Sequence, residues 1–149
     1  MNLGFLILAD HSEAINGKIY VMGGGWNMLR FPELPHEWAF ALTFGLDVPW
    51  DETNRRYTLT MHIEDPDGEL LGEEFSMEFE AGRPPGSIQG SDQRIVLSLR
   101  TQASFATAGP HAVVVKVDED EVGRTRFYVV ETPQEMQMPG QEEFGGPET

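Results

Sequence analysis

The chain has 149 residues, 40% of them hydrophobic and including nine Phe, three Trp and three Tyr, which suits a single domain around one sizeable core. Its 25 acidic residues against 10 basic ones leave a net charge of −15, so phosphate backbones and anionic headgroups are repelled and neither nucleic acid nor a membrane is expected as a partner. The absence of cysteine excludes disulfides, thiolate nucleophiles, Cys-ligated zinc and iron–sulfur clusters, and it is compatible with the expected cytoplasmic location.

The first apolar run, Leu3–Ala9, is shorter than the ~20 residues of a spanning helix. It lacks the preceding Lys or Arg and the small-residue cleavage site of a signal peptide, so it reads as a buried first strand. Asn16-Gly17 then turns the chain into a second strand, Lys18–Met22. Gly23–Gly25 follow, but no helix comes after them to offer N–H groups to a phosphate. The segment resembles part of a kelch blade, yet it has no second copy, which excludes a propeller. What remains is a backbone device: glycines that permit positive φ or a bulge and bend the strand before Trp26.

Period-two alternation dominates the rest. It runs through Phe40, Leu42, Phe44, Leu46 and Val48, and after a break at Pro49, where Asp51 is placed to cap one helical turn, through Tyr57, Leu59, Met61 and Ile63. Pro66-Asp67-Gly68 marks a hairpin into Phe75, Met77 and Phe79. A long connection stiffened by Pro84 and Pro85 leads to Ile95, Leu97 and Leu99, and Val113, Val115 and Val117 precede a last turn in "VDEDEVG". Leu3–Ala9 and Val113–Val117 are apolar on both faces, as central strands are. No helical stripe exists. The expected fold is all-β: an antiparallel β-sandwich, immunoglobulin-like or jelly-roll, of about eight strands over residues 1–130, with a barrel as competitor. Residues 131–149, with five Glu, three Pro, three Gly and no basic residue, read as an acidic flexible tail.

Few residues point to chemistry. Asp10–Glu13 holds triad-type side chains, but adjacent residues rarely assemble a triad and there is no Gly-x-Ser-x-Gly elbow. His11, His36, His62 and His111 lack metal-ligand spacing, and His62 is expected to be solvated on the polar face of its strand. Asp65, Asp67, Asp118 and Asp120 would have to gather at one end of the sandwich to bind calcium; charged hairpin tips are the simpler account. The connections "PWDETNRR" and "GRPPGSIQGSDQR" supply the candidate binding residues: Trp50, Asp51, Arg55, Arg56, Arg83, Asp92 and Arg94. Arg and Trp on loops of an acidic protein suit recognition of a carboxylate or a protein partner, while internal ion pairing is the competing role. Of the tryptophans Trp26, Trp38 and Trp50, the sequence favours Trp38 as a core filler.

Together "ADHSEAINGKIYVMGGGW", "VPWDETNRRY", "DPDGELLG" and "GRPPGSIQGSDQR" resemble an uncharacterised family of short bacterial β-rich proteins over about residues 1–130. The resemblance implies a small β-rich domain and brings no activity, cofactor or catalytic residue. The expected function is therefore non-enzymatic and cofactor-free: a binding or assembly module acting on a protein partner or on itself through loops or a strand edge. The alternative is a small-ligand, carbohydrate or Ca²⁺-binding sandwich.

Overall fold

The alternating segments fold as nine strands: β1 (Asn2–Ile15), β2 (Lys18–Gly24), β3 (Met28–Phe31), β4 (His36–Val48), β5 (Arg56–Glu64), β6 (Leu70–Glu80), β7 (Gln93–Phe105), β8 (Gly109–Val117) and β9 (Asp120–Glu131). The computed structural model describes residues 1–133. Among the described residues the only helical element is a 3-10 turn at Trp50–Glu52, and no helix there is long and apolar enough to cross a membrane. β9 runs one residue past the expected domain boundary, and Thr132 donates to the Phe31 carbonyl at 2.8 Å. The rest of the expected acidic tail, residues 134–149, lies outside the described residues.

The strands form two sheets, one ordered β2-β1-β4-β7 and the other β3-β9-β8-β5-β6. Both doubly apolar segments, β1 and β8, take interior positions, because such strands have no face to give to water. Pairing is antiparallel throughout the ladders except between β3 and β9, where Met28 to Phe31 run parallel to Tyr128 to Glu131. This extra strand raises the count above eight. Only Leu29 and Phe31 of its four residues are buried, too short a run to register as a period.

One core lies between the sheets. Phe40, Leu42, Phe44, Leu46 and Val48 of β4 are all fully buried, and they face Leu59, Met61, Ile63, Val113, Val115 and Phe127 from the other sheet. Each such side chain contributes about 1.5–3 kcal/mol of burial. Phe31, Phe40, Phe105 and Phe127 cluster at one end, where Trp26 packs edge-on to Phe40 at 5.6 Å and to Phe127 at 6.4 Å. Trp26 is thus the core tryptophan. Trp38, expected in that role, is 38% exposed: it shares the inner face of β4 with Phe40 but stands at the open end of the sheet, tilted against Phe31. His62 also departs from expectation. It is 8% exposed, because Glu64 at 3.1 Å and Glu74 at 3.6 Å close around it on the outer face of β5.

The opening glycines bend a hairpin. Asn16 and Gly17, both at positive φ, close β1 onto β2 in the primed geometry that suits strand twist. Gly23 (φ 64°) and Gly25 (φ 88°) turn the chain at the base of the hairpin, while the Gly25 N–H still bonds the Leu8 carbonyl at 2.9 Å. The distal half leans across the outer face of its sheet until Ser12 meets Ser98 of β7, with Oγ to Oγ at 2.6 Å and Ser98 Oγ donating to the Ser12 carbonyl at 2.8 Å. That lean accounts for the complete burial of Thr43, which points away from the core.

Candidate functional site

Two surfaces deserve comparison: the arginine-bearing connections at one end of the fold and the leaning hairpin on its side. At the end, Pro49 stops the β4 ladder and the chain enters the 3-10 turn. Asp51 sits exposed inside this turn and does not cap it, since the capping position belongs to Pro49. Thr53 Oγ1 donates back to the Trp50 carbonyl at 2.7 Å, and the Asn54 N–H bonds the Ala81 carbonyl at 2.7 Å, tying the first connection to the second.

Arg83 completes that tie. Its Nε donates to Thr53 Oγ1 at 2.6 Å, its Nη2 donates to the Trp50 carbonyl at 2.6 Å, and its guanidinium carbon lies 4.0 Å from the centroid of the Trp50 ring. All three contacts are intramolecular. Arg94, at the start of β7, grips Asp47 of β4 through two bonds of 2.7 and 2.9 Å, and this hydrogen bonding holds the Asp47 carboxyl below its ordinary range. Arg83 and Arg94 border a shallow hollow of about 450 Å³ together with Gly82, Pro84 and Gln93. Asp92 is exposed, and Arg56 makes only a loose 3.9 Å approach to Glu78 with both side chains in solvent.

Arg55 differs. It lines a cleft of about 250 Å³ with Glu52, Tyr57, Asp118 and Asp120, and it forms no ion pair among the described residues. Asp118 bonds the Thr58 N–H at 2.9 Å, while Asp65 accepts from the N–H groups of Asp67 and Glu69 at 2.9 Å each. The pairings Leu59–Val117 and Glu64–Ala112 place the Asp118–Asp120 turn and the Asp65–Asp67 turn at opposite ends of β5. The four aspartates considered for calcium therefore do not converge, since the strand between them is too long.

The leaning hairpin was not among the sequence-derived candidates. Its outward face carries Ile15, Tyr20 and Met22, with Tyr20 54% and Met22 68% exposed, and Val21 is exposed on the other face. Six of the seven residues of β2 are exposed, and β2 is an edge strand. A sequence signal for this surface exists: "KIYVM" is apolar on both faces beside an Asn-Gly turn, which is unusual for a strand that ends a sheet.

Both surfaces belong to an all-β domain of two sheets around one core. Residues 4–130 match the family of unknown function DUF6941, and the chain belongs to that family. No curated protein matches it. Among solved structures it is similar to Pseudomonas fluorescens alkylpurine DNA glycosylase AlkC bound to DNA containing an abasic site analog, at 17% identity and a TM-score of 0.38. That likeness covers 69% of this chain and 27% of the glycosylase chain, and it carries no functional argument.

Proposed function

We propose that the chain is a non-enzymatic, cofactor-free, cytoplasmic binding or assembly module that engages protein through the free edge of β2. One observation carries this reading: an edge strand whose apolar side chains Tyr20, Val21 and Met22 stand in solvent. Edge strands in acidic, soluble chains are ordinarily blunted by charge, and β6, at an edge of the other sheet, is lined by Glu73, Glu74, Glu78 and Glu80. A strand edge offers unpaired backbone groups for affinity and alternating side chains for specificity. Affinity capture with the folded chain tests the reading. Proteins retained by wild type should be lost with Met22→Lys and kept with Arg83→Lys; capture indifferent to Met22→Lys contradicts it.

The fold subtype that fits this role is an immunoglobulin-like sandwich. The strand orders support it, since β1, β4 and β7 take the places of strands A, B and E, while β9, β8, β5 and β6 take those of G, F, C and C′. By this fold-level analogy the connections 49–55, 81–92 and 118–119 sit at the end where variable-type domains carry binding loops. A second reading rests there: a small ligand held in the cleft that Arg55 lines with Glu52, Asp118 and Asp120.

A further inference from the structure

We infer that the occupant of the β2 edge is a second copy of this chain, paired antiparallel about a two-fold axis through Tyr20. This deepens the strand-edge reading and rests on it. The regular part of β2 runs Lys18–Met22 and stops where Gly23 turns to positive φ, so Tyr20 is its midpoint. Antiparallel pairing of this stretch with itself sets Tyr20 against Tyr20 of the second copy, Ile19 against Val21, and Lys18 against Met22. Aromatic and β-branched cross-strand pairs of this kind are favourable, and no like charges stand opposite each other. The two lysines fall at opposite ends of the joint.

Charge selects the edge. Two molecules of net charge −15 repel wherever their carboxylates meet, and β2 is an edge on which none do. The other edges serve less well. β6 would gather eight glutamates along one joint; β3 has only four residues; and β7 has the hairpin laid over its outer face. A cationic peptide would satisfy the overall charge, but β2 presents it no acidic residue. The only carboxylate on the outward face of the hairpin is Glu13, on β1, one strand in from the edge.

The salt dependence separates these occupants. Joining two like-charged molecules through an apolar edge is opposed by long-range repulsion that salt screens, so association should tighten several-fold between about 20 mM and about 300 mM NaCl. Binding of a cationic peptide would weaken over the same range. Sedimentation equilibrium of the full chain across micromolar concentrations should show a monomer–dimer equilibrium. Tyr20→Glu, placing two glutamates face to face at an exposed position, should weaken it roughly tenfold or more. Tyr20→Lys should do the same, and an equimolar mixture of the two variants should recover dimer, because Lys then meets Glu. Leu70→Glu, an equally apolar loss at a 53% exposed position on β6, should leave dimerisation unchanged. A wild-type chain that stays monomeric at every concentration and salt overturns the second copy, as does a mixture that fails to recover dimer. If the monomer still captures proteins in a Met22-dependent manner, the module reading survives that failure; if it captures none, both fall.

Discussion

Replacing Arg83 with Ala removes a side chain that the structure shows to be committed internally, and the cost can be built from its contacts. Two hydrogen bonds of 2.6 Å reach Thr53 Oγ1 and the Trp50 carbonyl, and the guanidinium stacks on the Trp50 ring at 4.0 Å. Hydrogen bonds from a charged donor contribute about 1.5–3 kcal/mol each when sheltered, but Arg83 stands in solvent, and screening reduces each to about 0.5 kcal/mol. The cation–π contact adds about 0.5 kcal/mol at an exposed site. Thr53 keeps its own bond to the Trp50 carbonyl, so no buried donor is orphaned. The sum, about 1.5 kcal/mol, corresponds to a fall in Tm of roughly 3–6 °C for a domain of this size. Thermal unfolding followed by circular dichroism measures it. Arg83→Lys should fall between the two, because it keeps the charge and loses the planar fork. Arg55→Ala, which breaks no ion pair among the described residues, should leave Tm unchanged. An Arg83→Ala protein that melts with wild type would refute the clamp and return Arg83 to the pool of recognition residues.

Further outcomes follow from particular residues. Gly23→Ala should cost about 1–2 kcal/mol in urea unfolding, since an L side chain at φ 64° is strained and its Cβ would run into the Asp10 side chain. His111 is 2% exposed and stacks on Phe127; burial lowers its pKa below the ordinary histidine value. The folded state therefore binds fewer protons, so this contribution is whole above the unfolded pKa near 6.5 and is lost as pH falls through the lower folded value. Unfolding midpoints at about pH 7.5 and about pH 5.5 should diverge less in His111→Gln than in wild type. Asp47 has a separate window: its carboxyl lies below 3.8 when folded, so its pairing with Arg94 persists through both of those conditions and is lost only as pH falls through that lower value.

The fold was legible where one period ruled. Phe40 to Val48 announced a strand with one buried face, and Leu3–Ala9 and Val113–Val117 announced interior strands, because hydrophobic patterning is a local property of the chain. β3 was not legible, since four residues cannot establish a period and its parallel partner β9 lies about 100 residues away. Trp38 and Trp26 exchanged roles for a similar reason: alternation fixes a face but not how far along the sheet the other layer extends. At the candidate site the sequence gathered Trp50 and Arg83 into a pair of connections, yet whether Arg83 turns inward depends on where Asn54 meets Ala81. The hairpin surface was not legible because a strand's place at the edge of a sheet is set by the sheet order and not by its own residues. Its apolar residues read as an ordinary strand, and only the sheet order leaves β2 at an edge among the described residues.

Hydrogen–deuterium exchange at low and high protein concentration tests the central claim most directly, since it reads each backbone amide where it stands. The account predicts that protection rises with concentration in residues 18–22 and remains constant in 82–92. Rising protection in 82–92, or no change at 18–22 while the protein associates, would contradict it.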